Sequence, residues 1–410
     1  MMLNTLEALN IVLAHAELLE PARMPLDKAA GLVLAEDVTA RGNVPPFANS
    51  AMDGFAVLAS DIQQASEATP VRLHILEDVP AGSVATQPVR PGTAIRIMTG
   101  APLPDGADTV VHVEVTRVEG SDVVILLALK SGFNVRRAGE DMTDGTVVLH
   151  AGSTLRPGEI GVCAAAGHDA VSVYPRARVA ILTTGSELVD AADELTPGHI
   201  RDANAHSLRA QIAAIGAVPV VFARVPDTRD AVRSSLEQAL AGSDVVLTNG
   251  GISVGDYDFV KDVLEEMGAQ LVFWRVKQKP GKPMAFWTLG HKRIVGLPGN
   301  PVSCMVCVEE YVRPLIRRMM GFSLLHRPER SAVFDERYSK GSDAGRVHFV
   351  RVLLEQRDGT LHARPTGPQG SGILTSMARA EAIAIIPEEA TVIDAGATVQ
   401  VQLTDLPEDH

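Results

Sequence analysis

The sequence predicts a multidomain α/β protein in which a doubly wound α/β unit lies between two β-rich regions. The first observation is the alternation of strand-like and helix-like segments from about residue 178 to 326. The second is the texture of the flanking regions, where short apolar runs are separated by Gly and Pro. The third is the length of 410 residues, which suits about two to four domains.

Composition supports a folded chain and limits its partners. Hydrophobic residues make up 46% and charged residues 21%, proportions typical of globular proteins. The net charge of −13 argues against a general affinity for nucleic acid or an anionic membrane. The longest apolar stretch, Val123 to Leu129, is far shorter than the ~18 residues of a membrane-spanning helix. The start, MMLNTLEALN, does not resemble a secretory signal. We therefore expect a cytoplasmic protein with no nucleic-acid or membrane partner.

The cysteines indicate reduced thiols. Cys163, Cys304 and Cys307 are an odd number in a long chain, which is unusual for a disulfide framework. Cys304 and Cys307 form a C-x-x-C pair inside a helix-like segment, with no second ligand pair nearby. We predict that they pack in a core rather than serve metal or redox chemistry.

The regions that flank the central unit predict an N-terminal helix, a small β unit and a C-terminal β-barrel. Residues 3–20 repeat Leu and Ile at helical spacing, which predicts a helix that ends at Pro21. From Gly42 to about residue 150, short runs between turn signals predict a small all-β unit. From about residue 327, the runs SAVFDERY, GRVHFVRVLLEQ, GTLHARP, EAIAIIP and ATVQVQLT predict a compact β-barrel.

The central region predicts a parallel sheet covered by helices on both faces. VAILTTG, VPVVFARV and DVVLTNGG are strand-like. NAHSLRAQIAAIG is a helix ending in glycine, DTRDAVRSSLEQALAG a helix capped by Asp227, and DYDFVKDVLEEMG a third helix. Strands that alternate with helices give right-handed crossovers and a parallel sheet.

Three turns follow strands of this central unit and are expected to meet at one rim of the sheet. They are TTGSEL at 183–188, TNGGISVGDYD at 248–258 and GLPGNPVS at 296–303. In open α/β sheets, ligands bind beyond the carboxyl ends of the strands. Gly250 and Gly251 permit a tight turn whose backbone N–H groups can point at an anion.

The polar residues of these turns have two open interpretations. Asp256 and Asp258 can cap the following helix, or hold a divalent cation that shields a phosphate. Glu187 can likewise cap a helix or meet a ligand. The third turn, taken alone, is a helix start with Asn300 as the cap and Pro301 in the first helical position.

A lysine cluster supplies charge of the opposite sign. In KQKPGKPMAFW, Lys277, Lys279 and Lys282 surround Pro280 and Gly281. Such a cluster is usually a solvated face, but here the bend holds the side chains together, which favours an anion site. The chain contains no G-x-x-x-x-G-K-[ST] loop and no G-x-G-x-x-G motif, so neither a P-loop nor a dinucleotide site is expected.

Other polar turns lie outside the central unit. SAMDGFA carries Asp53, RIMTGAPLPDGAD carries Thr99, and NVRRAGEDM carries Arg137, Glu140 and Asp141. Each can be an ordinary loop. They complete a site on the α/β unit only if the β unit folds back over it or reaches a second subunit.

Taken together, these segments identify a family resemblance. SAMDGFA, RIMTGAP, RRAGED, TTGSEL, TNGGISVGDYDF, KPGKP, GLPGNPVS and GSGIL, in this order, resemble the molybdopterin molybdenumtransferases, which include bacterial MoeA and the E domain of gephyrin. The resemblance implies four domains: a split N-terminal α/β linker domain (1–44 with 145–177), an inserted small β domain (45–144), a central doubly wound α/β domain of molybdopterin-binding type (178–326) and a C-terminal β-barrel (327–410).

The resemblance also implies a reaction and its partners. Adenylylated molybdopterin and molybdate are the substrates; the pyrophosphate link is hydrolysed, AMP leaves, and molybdenum is delivered to the pterin dithiolene. A magnesium ion, Mg²⁺, is the implied cofactor. The implied assembly is an elongated homodimer, with each site shared between subunits and Asp53 supplied by the partner subunit. Molybdopterin adenylyltransferase and molybdoenzyme chaperones are implied protein partners.

The resemblance assigns roles to particular residues of this chain. The implied catalytic residues are Asp53, Glu187, Asp258, Lys279 and Lys282, of which Glu187 and Asp258 hold the metal. The implied substrate-binding residues are Thr99, Arg137, Asp141, Thr184, Gly185, Asp227, Gly250, Gly251, Ser253, Pro298, Asn300, Pro301, Arg351 and Ser371. The chain departs from the family at Ser186, where many relatives carry Asp, and at Tyr257, where a small residue is frequent.

Two other functions remain as alternatives. A molybdopterin adenylyltransferase has a single α/β domain that resembles residues 178–326, but it would show a G-G-T-G type turn and lack the two β regions. The other alternative is a non-catalytic, gephyrin-like dimeric scaffold that binds partner proteins. The intact acidic and lysine turns favour retained catalysis over that alternative.

Overall fold

The structure of the protein, a computed structural model, describes residues 2–222, 224–250 and 259–404. This part of the chain forms two compact units. The first contains the residues up to Ala22, Gly31–Ala35 and the residues from Val173 onward, and the second contains Arg23–Ala30 and Glu36–Ser172. The division into four domains stays a prediction. No helix within these ranges is both long and apolar enough to cross a bilayer.

The N-terminal helix, α1, is shorter than its apolar repeat predicts. It covers Thr5–Ala14. The Asn4 side chain accepts a hydrogen bond from the Glu7 N–H at 2.8 Å, and the Glu7 carboxylate accepts one from the Asn4 N–H at 3.0 Å. Farther along, the Leu19 N–H donates to the Met319 carbonyl at 2.9 Å. The predicted extension of the helix to residue 20 was wrong, because this tertiary bond replaces a helical one.

Between α1 and residue 174, short strands dominate from Gly42 to about residue 150, as predicted, and one α-helix lies on either side of that range. The elements are β1 Ala22–Pro25, α2 Leu26–Ala29, β2 Val33–Leu34, β3 Val38–Thr39, β4 Asn49–Ser50, β5 Gly54–Val57, β6 Val71–Val79, β7 Thr93–Ile97, β8 Thr109–His112, β9 Thr116–Glu119, β10 Asp122–Ile125, β11 Val135–Arg136, β12 Val147–Leu149, α3 Pro157–Ala165 and β13 Ala170–Tyr174.

A six-stranded sheet forms the centre of the second unit. Its strand order is β8-β5-β7-β6-β10-β9, and β6 pairs with β7 in parallel. Along β5, Phe55 and Val57 pack in one apolar cluster and Ala56 packs in another. Successive side chains of a strand face opposite sides of the sheet, so both faces of this sheet are buried.

The central region alternates strands and helices. Its elements are β14 Arg178–Thr183, β15 Leu188–Val189, β16 Ile200–Arg201, α4 Ala203–Ile215, β17 Val218–Val221, α5 Arg229–Gly242, β18 Val245–Asn249, α6 Phe259–Glu266, β19 Gln270–Trp274, β20 Gln278–Lys279, β21 Ala285–Leu289, β22 Lys292–Leu297, α7 Pro301–Cys307 and α8 Arg313–Met319, with a π-helical turn, Val308–Val312, between α7 and α8.

The central sheet is doubly wound. Its order is β17-β14-β18-β22-β21-β19; the first four strands are parallel to one another, whereas β21 pairs in antiparallel fashion with both β22 and β19. Val179 and Ile181 of β14 pack with apolar residues of α4, α7 and α8, and Ala180 and Leu182 pack with those of α5 and α6. Helices therefore cover both faces, as the sequence predicts.

The C-terminal region forms a closed barrel. Its elements are β23 Glu329–Phe334, β24 Tyr338–Ser339, β25 Val347–Arg357, β26 Thr360–Pro365, α9 Leu374–Ala378, β27 Ala382–Ile386, β28 Val392–Ile393 and β29 Thr398–Leu403. The strands β25-β26-β23-β29-β27 close through a pairing of β27 with β25. In addition, β20 pairs with β25, which places Lys279 opposite His348. The lysine loop, residues 277–282, is thus held against the barrel.

Candidate functional site

The three turns predicted to share a rim meet where the structure describes them, which for the second turn is as far as Gly250. In the adjacent parallel strands β14, β18 and β22, Thr183 pairs with Asn249 and Asn249 with Leu297. Beyond them, the Thr184 N–H donates to the Asn249 carbonyl at 3.0 Å and the Gly250 N–H to the Leu297 carbonyl at 3.3 Å. The turns enclose the rim cavity, of about 610 Å³, which is lined by Thr184, Glu187, Leu188, Ile200, Arg201, Asp202, Ala203, Asn204, Asn249, Gly250, Pro283, Pro298, Gly299, Asn300, Pro301 and Gly372.

Two asparagines fix the relative positions of the turns. Asn249 is buried, and its side chain donates to the Pro298 carbonyl at 2.7 Å. Asn204, at the start of α4, donates to Asn249 Oδ1 at 2.7 Å and to the Gly299 carbonyl at 2.7 Å. Asp202 caps α4 by accepting from the Ala205 N–H, and it also accepts from the Thr183 hydroxyl at 2.6 Å. These bonds set the shape of the rim cavity before any ligand binds.

The close approach of two turns requires glycine at position 250. Its φ is +87°, and a Cβ there would lie 2.8 Å from the Thr184 carbonyl oxygen. Glu187 folds over Gly185 in a similar way, since its Oε2 would lie 2.7 Å from a Cβ at that position. The Glu187 carboxylate therefore lies beside Gly185, where only a glycine leaves room for it.

The oxygen atoms of the rim cavity fit a hard divalent cation. Within the described part of the chain, Thr184 Oγ1 and Asn204 Oδ1 are buried without a hydrogen-bond partner. Both residues line the cavity together with Glu187. One carboxylate plus neutral oxygens suits Mg²⁺, which prefers oxygen ligands. Asp258, the second predicted metal ligand, lies outside the described residues. No group of three or more His, Cys, Asp or Glu able to hold a metal occurs within residues 2–222, 224–250 and 259–404.

A second cavity, the lysine cavity, lies between the lysine loop and the barrel. It measures about 760 Å³ and is lined by Gln278, Lys279, Pro280, Gly281, Lys282, Pro283, Asn300, Ser303, Glu336, Arg337, Tyr338, Ser339, Asp343, Arg346, Pro365, Gly367, Gln369, Gly370 and Ser371. Four of these side chains are cationic and two are acidic. Pro283 and Asn300 line both cavities, so the two spaces adjoin.

The three predicted lysines have different surroundings. Lys277 forms an ion pair with Glu388 at 3.2 Å, and neither residue lines the lysine cavity. Lys279 contacts Asp343 at 2.7 Å. Lys282 lines the lysine cavity and forms no ion pair with any carboxylate in the described ranges. The anion-site prediction therefore fits Lys279 and Lys282 better than Lys277.

The lysine loop is packed tightly onto α7. Gly281 has φ +95°, and a Cβ there would lie 2.5 Å from Gln278 Nε2 and 2.6 Å from Cys307 Sγ. Cys304 and Cys307 belong to the apolar core beneath the loop, which confirms their predicted packing role. Burial raises the pKa of both thiols, which disfavours thiolate chemistry.

Arg351 and Ser371 occupy different positions relative to the lysine cavity. Ser371 lines it. The buried Arg351 side chain lies behind that wall, where it donates to Ser376 Oγ at 3.1 Å and to the Gly370 carbonyl at 3.1 Å. Burial lowers the pKa of Arg351 to about 10. In this structure Arg351 supports the loop that presents Ser371, while Arg346 lines the cavity.

Asp227 does not cap α5, contrary to the sequence prediction. The N-cap residue is Thr228, whose side chain makes no capping bond. The Asp227 carboxylate instead accepts from the N–H and the hydroxyl of Ser186, each at 2.9 Å. Asp227 is engaged in bracing the first turn, so it is not free to cap the helix. Ser186, the residue that departs from many relatives, supplies the hydroxyl for this contact.

Comparisons with known proteins agree along nearly the whole chain. The model for the MoeA N-terminal region (domain I and II) matches residues 3–167, that for a probable molybdopterin binding domain matches 180–318, and that for the MoeA C-terminal region (domain IV) matches 339–404. Molybdopterin molybdenumtransferase 2 of Mycobacterium tuberculosis (strain H37Rv) is 39% identical over 391 residues, covering 94% of this chain and 95% of that protein. This chain belongs to the molybdopterin molybdenumtransferase (MoeA) family.

Other members support the same assignment. Molybdopterin molybdenumtransferase of Bacillus subtilis (strain 168) is 36% identical over 374 residues, covering 90% of this chain and 86% of that protein. The crystal structure of the molybdopterin biosynthesis MoeA protein from Pyrococcus horikoshii OT3 matches with a TM-score of 0.80 and 30% identity, covering 98% of this chain and 100% of that one. The predicted family and fold class are confirmed.

Two predicted MoeA-family residues of the second unit are in contact. The Asp53 carboxylate accepts hydrogen bonds from the Thr99 N–H and hydroxyl, both at 2.7 Å. These bonds, the backbone one first, lower the pKa of Asp53. The next residue in the chain must be glycine, because a Cβ at position 54 would lie 2.1 Å from the Val111 carbonyl oxygen. Asp53 is therefore a fixed, ionised group on the surface of this unit.

The remaining predicted residues are turn residues or lie outside the described ranges. The Arg137 N–H donates to the Glu140 carboxylate at 2.8 Å, and the Asp141 N–H donates to the Val44 carbonyl at 2.9 Å. These bonds shape the RRAGED turn of the MoeA-family pattern and leave the Arg137 and Asp141 side chains exposed. The residues outside the described ranges are Gly251, Ser253 and Asp258.

Sequence reasoning missed several residues of these cavities. Asn204 and Asp202 carry a helix-start signal, Asp-Ala-Asn before an amphipathic segment, that was available from the sequence. Arg346 and Asp343 carry no comparable signal. They reach the lysine cavity because β20 pairs with β25, a tertiary contact that no local pattern reports.

Proposed function

We propose that this chain inserts molybdenum from molybdate into adenylylated molybdopterin, with hydrolysis of the pyrophosphate link and release of AMP. Its membership of the molybdopterin molybdenumtransferase family supports the proposal. The observation that carries it is the adjoining pair of cavities, which share Pro283 and Asn300. One cavity offers turn amides and oxygen atoms, and the other offers ammonium and guanidinium groups. A phosphorylated pterin and a small oxyanion can therefore bind side by side.

In this mechanism the rim cavity binds the nucleotide-linked substrate. Its walls include Thr184, the Gly250 turn and the start of α7 at Asn300 and Pro301. Backbone N–H groups at a glycine turn and a helix start donate to phosphate oxygens. The asparagine pair Asn204 and Asn249 holds these donors in place, so little reorganisation accompanies binding.

The lysine cavity binds molybdate as substrate. Lys282 and Lys279 supply charge-assisted hydrogen bonds to its oxygens, and Ser371 can add a hydroxyl donor. Binding the oxyanion next to the pterin turns a bimolecular encounter into a positioned one. Arg351 acts indirectly, by holding the carbonyl of Gly370 next to Ser371.

The proposed cofactor is Mg²⁺ held by Glu187 and Asp258. Thr184 Oγ1 and Asn204 Oδ1 are further oxygen donors beside Glu187. When bound there, the ion supplies positive charge that offsets the negative charge developing on the leaving AMP phosphate. Glu187 itself is oriented by its position over Gly185.

The proposed assembly is a cytoplasmic homodimer with shared sites. In that assembly Asp53 of the partner subunit, already fixed by its own Thr99, completes each site. Arg137 and Asp141 of the partner subunit contribute to the same site. The proposed protein partners are the adenylyltransferase that makes the substrate and chaperones of the molybdoenzymes that receive the product.

The test is a reconstitution with purified components. Protein, adenylylated molybdopterin and molybdate are mixed, and AMP release and active molybdenum cofactor are measured. AMP should appear only when molybdate is present. Asp258→Asn should abolish AMP release while size-exclusion chromatography shows an unchanged dimer. Unaffected turnover in Asp258→Asn would remove Asp258 from the catalytic residues, whereas a stable dimer that never releases AMP would favour the scaffold alternative.

A further inference from the structure

The Asp343 carboxylate lies on the cationic wall of the lysine cavity. Its Oδ2 accepts from Lys279 Nζ at 2.7 Å, and its Oδ1 accepts from Arg346 Nη1 at 2.9 Å. Both cations line the cavity, and neither is paired with another carboxylate in the described ranges. Carboxylates and tetrahedral oxyanions use the same donors on ammonium and guanidinium groups. Asp343 therefore occupies the donors that an entering oxyanion requires.

The backbone that carries Asp343 is anchored at its base. Asp343 ends a short 3₁₀ turn, Gly341–Asp343, which follows the buried Lys340. The Lys340 ammonium donates to the carbonyl of Arg346 at 2.6 Å and to the carbonyl of Pro387. The Lys340 ammonium thus links the start of the turn that carries Asp343 to Arg346 beyond its end. Rotation of the partly exposed Asp343 side chain is then the smallest movement that releases Lys279 and Arg346.

The other lysines of the loop provide the contrast. Lys282 lines the same cavity without a carboxylate partner in the described ranges. Lys277 is paired with Glu388 away from the cavity. An oxyanion that enters can thus contact Lys282 at once, whereas Lys279 is available only in exchange for Asp343.

We propose that Asp343 is an internal competitor for the oxyanion site, which holds Lys279 and Arg346 in the free protein and yields them when a tetrahedral oxyanion binds. The inference rests on the proposed function, because it concerns the substrate anion of the same cavity. Hydrogen bonding to Lys279, followed by the charges around it, lowers the pKa of Asp343, so the competitor is ionised at neutral pH. The carboxylate lowers the affinity of the site and keeps weakly bound anions out.

The test measures oxyanion binding without turnover. Sodium molybdate is titrated into the purified full-length protein by calorimetry at fixed low salt. Removing one negative charge a few ångströms from a dianion should lower Kd for molybdate about tenfold in Asp343→Asn. Asp343→Ser, a second neutral variant, should show the same tightening. Asp343→Glu keeps the charge, and its Kd should stay within about threefold of the parent value.

The control is Asp358→Asn, which makes the same substitution and the same change in net charge. Asp358 follows the far end of β25, an 11-residue strand whose first residue is next to Arg346. Val352 of this strand pairs with Pro365 of the cavity wall, so at ~3.3 Å per residue Asp358 lies about 20 Å along the strand from the cavity. Its Kd for molybdate should equal that of the parent protein. Thermal unfolding curves establish that each variant is folded.

The outcomes separate this proposal from the proposed function. An unchanged or weaker affinity in both neutral variants overturns the competitor role and points to Asp343 as a support for Lys279. If neither the parent nor the neutral variants bind molybdate or pyrophosphate while the parent still releases AMP, the competitor role fails and the activity stands. A parallel titration with pyrophosphate identifies the source of the anion, since tightening for either anion supports competition and shows which one takes the site.

Discussion

The side chain of Asn204 donates a hydrogen bond of 2.7 Å to Oδ1 of Asn249, and Asn249 donates one of 2.7 Å to the Pro298 carbonyl. This relay joins α4, β18 and the turn after β22. In Asn249→Asp, a carboxylate oxygen faces the carbonyl of Pro298 in a buried position. We expect the free energy of unfolding to fall by about 3 kcal/mol, because a buried donor is lost and a charge is buried. Urea denaturation measures the change.

Asn43→Asp is the matched control for this substitution. Asn43 Oδ1 accepts from the Asp144 N–H at 3.0 Å, a role that an aspartate oxygen can retain. Its free energy of unfolding should change by less than about 0.5 kcal/mol. Similar losses in the two variants would show that the asparagine relay has no special role.

Lys282 and Lys277 differ in what their ammonium groups contact. Lys282 faces the lysine cavity, and Lys277 is paired with Glu388 outside it. In Lys282→Ala we expect molybdate-dependent AMP release to fall on the order of 100-fold, since a donor to the oxyanion is lost. In Lys277→Ala the rate should stay within about threefold, because the ammonium group of Lys277 is paired with Glu388 and does not line the cavity. Steady-state assays of AMP release at saturating pterin test both; equal losses would contradict the assignment.

The central fold was predictable because local patterns and topology agree. Parallel strands that alternate with helices put their carboxyl ends at one edge, so the three turns had to meet. The register of Thr183, Asn249 and Leu297 confirms that expectation. The glycine at position 250 predicts a tight turn from the sequence alone. The structural requirement for glycine there, the close approach of Thr184, is a tertiary contact.

The remaining features depend on partners distant in sequence. The helix predicted over residues 3–20 ends early because Leu19 bonds to Met319. The local sequence predicts Asp227 as a helix cap, but in the structure its carboxylate accepts hydrogen bonds from Ser186. Asp343 enters the lysine cavity through strand pairing in the barrel. A charge on a loop has no periodicity, so its place in a site follows only from the fold.

Gly281 permits the lysine loop to lie on α7. Alanine there meets a positive φ and would place Cβ 2.6 Å from Cys307 Sγ. We expect Gly281→Ala to lower the free energy of unfolding by about 3 kcal/mol and to displace both cavity lysines. Gly290→Ala separates the two effects, because Gly290 has φ +54° with nothing within 4 Å of a Cβ. Its cost should be about 1 kcal/mol. Urea denaturation compares the two; equal costs would mean that the contact with Cys307 is unimportant.

Glu310 is a buried carboxylate whose neutral form is favoured. Within the described residues, Glu310 Oε1 is buried without a hydrogen-bond partner. Burial raises the pKa of Glu310 to about 8, with Glu309 and Glu329 adding to the shift. A carboxyl group whose pKa rises on folding destabilises the folded state as pH increases from its unfolded pKa, ~4.5, to its folded pKa. The cost is therefore small at pH 5 and large at pH 8.

Glu310→Gln should remove this cost. We expect the gain in stability of the variant over the parent to be about 1–2 kcal/mol larger at pH 8 than at pH 5. The neighbouring Glu309→Gln gives the opposite result, because Glu309 is paired with Arg327 at 3.1 Å and its loss leaves a cation unpaired. Urea denaturation at the two pH values measures both variants. A gain in Glu310→Gln that is as large at pH 5 as at pH 8 would assign the effect to packing, because the gain from a titrating carboxylate grows with pH between its unfolded and folded pKa values.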